Sequence, residues 1–395
     1  MDMRILFLTY YYPPDLCAGS FRAGALVSAL GKALPDTLKL DVLTTLPNRY
    51  GKFRPDTVSS EQSGHIAIYR FPVPTHKSGM IDQARSFTVF ARQCLDFVAD
   101  KHYDLVLATS SRLMTAALAA RVTKKINAPL YLDIRDLFIE TITEVLPGPV
   151  AVVLRPVLQS VEKHTFLQAR HINIVSPGFE NYFIERYPRI PLSLHTNGVD
   201  REFLKPHFDR GSESIPEPVR ILYVGNTGAG QGLEHIVPAL ATILEGQAAF
   251  RIIGAGGTRD RLERKIRKTG CSNVELLPPV ERNLLIEEYR QADVLFLHLN
   301  DLKALRMVLP SKLFEYAATG KPILAGVDGY AARFIHEHIP NAEVFSPCDA
   351  KAAAQAFTRL DKAMVDRSSF VRDYTRSRIM ERMAHEIISC AHENK

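Results

Sequence analysis

Residues 307–332 read MVLPSKLFEYAATGKPILAGVDGYAA, and the rest of the chain is organised around how this stretch folds. Pro310 suits the first position of a helix, where its missing N–H would be unpaired in any case. Leu313, Phe314 and Ala317 share one face at helical spacing, and Gly320 fits the left-handed residue just past a helix end. Lys321-Pro322 stops the helix, and Ile323–Ala325 reads as a buried strand. A helix start presented after a loop attracts anions. Lys312 sits in that first turn, where the dipole disfavours a cation, and an anion lying across both would remove the conflict. Ser311 and Glu315 are four apart on one face, so Glu315 is placed to accept from hydroxyls of the molecule carrying the anion. The plainer alternative is that Ser311 is a cap, Lys312 is solvated and Glu315 is a surface residue.

Working outward, the 395 residues suffice for two domains with their own cores, and 46% hydrophobic with 23% charged is ordinary globular composition. No apolar run is long enough to span a bilayer, and MDMRILFLTYYYPP lacks the pattern of a signal peptide. The five cysteines are scattered without metal spacing, which predicts reduced thiols in the cytoplasm. A net charge of +6 favours phosphates or the anionic inner face of a membrane as partners, and no basic-aromatic module points to nucleic acid. Arg367, Arg372, Arg376, Arg378 and Arg382 concentrate charge near the C-terminus and read as a solvated helix face.

The pattern is α/β and occurs twice. Arg4–Thr9 is a continuous apolar run, as a parallel strand covered on both faces requires, and YYYPPDLCAGS leads from it into a helix. Further strands are expected at Leu40–Thr45, Ile66–Phe71, Asp104–Thr109, Pro129–Ile134, His171–Ser176 and Pro191–His195. Val145–Leu158 is apolar but interrupted by Pro and Gly; it either lies in a membrane interface or packs on the sheet. Phe208–Pro218 has the polar, Pro/Gly/Ser-rich composition of a linker. The pattern then restarts with strand Arg220–Val224 and the loop GNTGAGQG (225–232), whose glycines suit either close helix–strand packing or close approach by a ligand. Gly254 and Val280 follow the strands Phe250–Ile253 and Val274–Leu277. The domains are expected at 1–205 and 206–369, each Rossmann-like and doubly wound, followed by a long last helix over Phe370–Ile388.

These motifs carry a family resemblance. The pattern Pro310-Ser311-Lys312-x-x-Glu315-Tyr316-x-Ala318-x-Gly320-x-Pro322-Ile323 resembles the donor-site signature of family 4 glycosyltransferases. YYPPxxxAGSxR resembles their acceptor-side loop, and DIRDLFIE (133–140) resembles their DxRDLWPE stretch, with Phe138 and Ile139 in place of Trp and Pro. Asn197-Gly198-Val199-Asp200 resembles the start of their NGVDxxxF turn. The resemblance implies the GT-B fold, two domains facing a central cleft with the last helix (370–395) packing back on the first, and retaining transfer of a sugar from a nucleotide diphosphate, with UDP the first expectation. The subgroup with this signature builds bacterial O-antigen and capsule and includes L-fucosamine transferases. Glu315 would bind the ribose, and Lys312 would stabilise the leaving diphosphate. Gly19 and Arg22 would face the reacting centre, with Asp136 as a further catalytic residue. Donor contacts would also come from Asn226, Gly228, Gln231, Gly254, Val280, Pro310 and Ser311.

Two departures matter. Met307 stands where the family's sugar-binding glutamate lies eight positions before Glu315, and Asn226 and Gln231 stand where an arginine and a lysine usually neutralise the diphosphate. Amides donate hydrogen bonds but bring no charge, which moves the burden to backbone N–H groups and Lys312. No Asp-x-Asp occurs, so no metal or other cofactor is expected. The acceptor implied is a glycan or lipid-linked molecule, met by a cytoplasmic protein peripheral to the membrane. The competing readings are a UDP-N-acetylglucosamine 2-epimerase of the same fold and a nucleotide-sugar-binding protein without catalysis.

Overall fold

A computed structural model describes residues 3–33, 38–48, 57–74, 80–110, 113–146, 148–204, 208 and 217–392. Two compact units result: an N-terminal unit of Met1–Asn197 with Arg376–Lys395, and a C-terminal unit of Gly198–Thr375. Most of the expected linker, residues 209–216, lies outside the described residues.

The N-terminal unit runs β1 (Met3–Leu8), α1 (Ala18–Ala33), β2 (Leu38–Thr45), β3 (Ser60–Ser63), β4 (Ile66–Phe71), α2 (Met80–Phe97), β5 (Leu105–Ser110), α3 (Leu113–Ile126), β6 (Leu130–Ile134), α4 (Phe138–Val145), α5 (Gly148–Phe166), β7 (Ala169–Ile174), α6 (Glu180–Arg186) and β8 (Leu192–Leu194). Its sheet has the order β3-β4-β2-β1-β5-β6-β7-β8, parallel throughout except for β3. β5 and β6 are buried end to end, and β1 everywhere but at Arg4, as helices on both faces require. β3, sequence SEQS, is an exposed antiparallel edge without apolar alternation, so nothing in its composition signals a strand. The order turns around at β1 and β5, and in such sheets the ligand crevice lies outside the carboxyl ends at that point.

The C-terminal unit runs β9 (Val219–Val224), α7 (Leu233–Ile243), β10 (Ala248–Ile253), α8 (Arg259–Thr269), β11 (Val274–Leu277), α9 (Arg282–Gln291), β12 (Val294–His298), α10 (Lys312–Ala318), β13 (Ile323–Gly326), α11 (Tyr330–His338), β14 (Ala342–Phe345), α12 (Ala350–Arg359) and α13 (Ser368–Asp373). Its parallel sheet has the order β11-β10-β9-β12-β13-β14, turning around at β9 and β12. Residues 225–232 therefore leave the carboxyl end of a strand at the turn-around. Gly320 is left-handed at φ +73°, ending α10 as its sequence requires.

The expected long last helix is broken in two. α13 keeps Phe370 in the core of the C-terminal unit beside Phe314 and Phe334, while α14 (Arg376–His392) belongs to the N-terminal unit. The break falls where Val199 donates its N–H to the Tyr374 carbonyl at 2.8 Å and bridges to Thr375, which draws the backbone out of helical geometry. α14 then lays Ile379, Met383 and Ile387, spaced one turn apart, into the core that α1 and the sheet share.

The arginine-rich C-terminal stretch is not uniformly solvated. Arg367 and Arg376 are buried. Arg367 donates to the carbonyls of Lys321, Pro340 and Asn341, a set of acceptors that only folding assembles. Without a carboxylate to offset burial, its pKa falls to about 10.

Candidate functional site

In the C-terminal unit the site is built around Lys312. Gly225, just past β9, has φ +137°, and a Cβ placed on it would lie 1.8 Å from Lys312 Nζ. The glycine is required because the lysine side chain passes directly over it. Nζ donates to the Tyr223 hydroxyl at 3.4 Å and lies 4.5 Å from the centre of that ring. The Tyr223 hydroxyl in turn donates to the Asn226 carbonyl at 2.6 Å. Burial lowers the Lys312 pKa to about 8, with Glu315 opposing the shift. α10 has only seven residues, so the local positive potential rests on this ammonium far more than on a helix dipole. Ser311 makes no side-chain capping bond, which removes the plainer reading of that residue.

The loop of residues 225–232 is braced internally. Gln231 Oε1 accepts from Asn226 Nδ2 at 2.9 Å and from the Gly228 N–H at 3.3 Å. The two amides expected to stand in for the family's cations therefore spend an acceptor and a donor on each other. His298, at the end of β12, fastens the loop from below: Nδ1 donates to the Gln231 carbonyl at 2.6 Å and Nε2 accepts the Cys348 N–H at 3.0 Å. These partners fix a neutral tautomer, and burial pushes its pKa down to about 4. Sequence reading passed over His298 because it ends an otherwise apolar run, DVLFLHL.

Gly254, expected among the donor contacts, has a packing role. A Cβ there would lie 1.7 Å from the Gly225 carbonyl, and its N–H is committed to the Leu277 carbonyl at 3.0 Å. Val280 is half-buried against the core of the unit, and the Pro310 carbonyl accepts from the Leu313 N–H at 3.1 Å. Glu315 is positioned by two residues the sequence did not single out. Its Oε1 accepts from Arg282 Nη1 and its Oε2 from the Tyr289 hydroxyl, both at 3.3 Å. Arg282 is held more tightly by Asp200, at 2.6 Å from Nη2. The turn 197–200 thus reaches Glu315 through one arginine.

In the N-terminal unit Arg22 does not present a free charge. Its Nε and Nη2 each donate to Asp133 at 2.8 Å, and it also reaches the carbonyls of Thr196 at 2.9 Å and His195 at 2.7 Å. Asp133 further accepts from Thr109 and Asn173. Burial alone would raise this carboxyl, but Arg22 outweighs it and holds the group below the ordinary range. Both side chains are wholly inaccessible. The expectation that Arg22 faces the chemistry is corrected: it ties α1, β6 and the chain after β8 together.

Asp136 follows β6 and does not cap α4, whose first residue is preceded by Leu137. Burial raises its carboxyl to about 6, although the Thr141 hydroxyl, at 3.3 Å, and Arg135 favour the charged form. Glu140 lies 3.7 Å from Arg155 and 3.6 Å from Arg186. Gly19 lies in the first turn of α1 with Arg135 Nη1 against it, 2.6 Å from where a Cβ would stand.

The chain is similar in fold to sucrose-phosphate synthase from Thermosynechococcus elongatus, with a TM-score of 0.66, 17% identity, and 99% of this chain and 97% of that one covered. It is also similar to WaaG, a glycosyltransferase involved in lipopolysaccharide biosynthesis, with a TM-score of 0.60, 15% identity and 98% of each chain covered. HepE from Anabaena, solved in complex with UDP-glucose, gives a TM-score of 0.60 at 16% identity, with 99% of this chain and 98% of that chain covered. These likenesses establish the GT-B fold. A putative colanic acid biosynthesis glycosyl transferase, WcaI of Escherichia coli strain K12, is 28% identical over 149 residues, covering 38% of this chain and 35% of that protein, so the match spans about a third of the relative's length. Residues 206–371, nearly all of the C-terminal unit, match the family model of the glycosyl transferases group 1.

Proposed function

We propose that the protein is a retaining glycosyltransferase that moves a sugar from a nucleotide diphosphate, UDP first among them, to a glycan or lipid-linked acceptor in cell-surface polysaccharide synthesis. The observation that carries this reading is Lys312 laid over Gly225 at the carboxyl end of β9. In the transfer, the bond from the anomeric carbon to the diphosphate breaks and its electron pair leaves with the diphosphate. The acceptor oxygen bonds to that carbon and its proton passes to the Asp136 carboxylate. Negative charge grows on the leaving group, and the fixed ammonium of Lys312 stabilises it. Glu315 is assigned to the ribose hydroxyls. Asp136, with a pKa near neutrality, is assigned to the acceptor side. No metal is assigned to the diphosphate; among the described residues no group of three His, Cys, Asp or Glu side chains is placed to hold one.

The acceptor is assigned to a membrane surface. Among the described residues no helix is long and apolar enough to cross a bilayer. α5, however, carries Val150, Val152, Val153, Leu154 and Val157 exposed, an apolar stretch suited to insertion at an interface.

The test is a melting-temperature shift with UDP-, GDP- and dTDP-sugars, since a ligand bound only by the folded state stabilises it by mass action. A shift with one nucleotide series supports the reading, and release of free sugar or transfer to an acceptor separates an enzyme from a binding protein. No shift with any of them overturns it.

A further inference from the structure

We propose that Arg135 and the first turn of α1 form an anion site in the N-terminal unit that holds a phosphate or carboxylate carried by the acceptor. This rests on the transferase reading, in which the donor diphosphate already has Lys312 in the other unit. Arg135 leaves the carboxyl end of β6, and its guanidinium lies against Gly19, in the turn where α1 begins. α1 has sixteen residues, so its first N–H groups and positive end are those of a full helix. A cation placed there is opposed by the helix dipole as well as by burial.

Arg135 Nε is buried with no hydrogen-bond partner, and no hydrogen bond or ion pair engages the rest of its side chain among the described residues. The Ser20 hydroxyl, in the same helical turn, is also buried without a partner. Of the groups acting on Arg135, Arg22 and Arg376 oppose its charge; Asp133 and Cys17 support it. Asp133 is already shared out to Arg22, Thr109 and Asn173. Burial raises the carboxyl of the neighbouring Asp136 to about 6 against the pull of Arg135, and among the described residues no hydrogen bond or ion pair joins the two. A largely buried guanidinium with no carboxylate bonded to it is costly to keep, and part of the residue stays open to solvent. An anion entering by that edge would accept from the guanidinium, the α1 N–H groups and the Ser20 hydroxyl together, the arrangement that binds phosphates and carboxylates at helix starts.

The test uses the full chain and inorganic phosphate, read as a melting-temperature shift with and without saturating UDP. Phosphate is expected to stabilise the wild type and Lys312→Ala equally, and to do so still when UDP is present. Arg135→Met should lose the phosphate response, and in phosphate-free buffer should melt no lower than wild type because an unanswered charge has been removed. Gly19→Ala is the second variant: its Cβ displaces Nη1, and apparent phosphate affinity should fall at least tenfold even if Arg135→Met does not fold. A full phosphate response in Gly19→Ala or Arg135→Met overturns the site. A response that disappears with UDP, or in Lys312→Ala, also overturns it, because the anion bound would then be the donor's diphosphate. Binding of UDP alone is a separate readout, so the donor reading can fail while the phosphate site stands.

Discussion

The ammonium of Lys312 occupies the space that any side chain at residue 225 would need, 1.8 Å from the ideal Cβ position of Gly225. A loop glycine and a helix lysine are thereby one feature. Lys312→Ala should reduce turnover by roughly a hundredfold or more, about 2.7–4 kcal/mol, the scale for removing one preorganised donor to developing charge. Gly225→Ala should approach the same loss by displacing the lysine. The double variant should be little worse than Lys312→Ala alone, because both changes remove one interaction. Additive losses in steady-state kinetics would separate the two residues.

Lys312 also predicts an alkaline limit. Burial has lowered its pKa to about 8, so the free enzyme loses this charge as pH rises through that value. The profile of kcat/KM should fall above about pH 8, and Lys312→Arg, which stays charged, should abolish that limb even at reduced activity. A profile unchanged by the arginine would assign the limb to another group.

Asp136 gives the opposite limb and a stability effect. Its carboxyl is raised to about 6, so the base form is depleted as pH falls through 6 and turnover should fall with it. The native state binds this proton more tightly than the unfolded chain. The contribution to stability is therefore full below the unfolded pKa and lost as pH rises through about 6. Asp136→Asn should be inactive yet more stable at pH 7.5, by roughly 1–3 kcal/mol, with the difference vanishing below pH 4. Chemical denaturation at the two pH values measures it.

Arg282 and Glu315 should separate in their effects. Glu315→Ala leaves Arg282 paired with Asp200 at 2.6 Å, so the unit should fold while nucleotide affinity falls by roughly 1.5–3 kcal/mol. Arg282→Met leaves Asp200 and Glu315 side by side without their cation and should destabilise by roughly 3–5 kcal/mol. Calorimetric titration with UDP, beside denaturant unfolding, distinguishes the two.

The α5 surface predicts membrane attachment. Val152 and Val153 are 73% and 69% exposed, so replacing both with Asp should leave folding and donor binding intact. Co-sedimentation with anionic vesicles should be lost, since two charges would have to enter the interface. Undiminished co-sedimentation would move the contact elsewhere.

Elements whose signals are local can be read from residue order alone. Buried parallel strands need unbroken apolar runs, and a helix ending in a left-handed residue needs a glycine, so β1, β6 and the α10–Gly320–β13 unit were legible from residue types and spacing. Residue order also picked out Lys312 and Glu315, because a cation in a first helical turn is locally anomalous. Partnerships between distant residues emerge only when the chain is folded. Arg22 and Asp133 are 111 positions apart and neutralise each other in the core, which no spacing announces. Arg282 became the holder of Glu315, and His298 the fastening under Gln231, through side chains delivered by separate strands and helices. Phe370–Ile388 reads as one helix because helical periodicity is local; it is two because Val199 pairs with Tyr374 and Thr375 from the far end of the C-terminal unit. Local propensity sets which conformations are cheap, and long-range pairing of buried charges and backbone groups sets which of them the chain keeps.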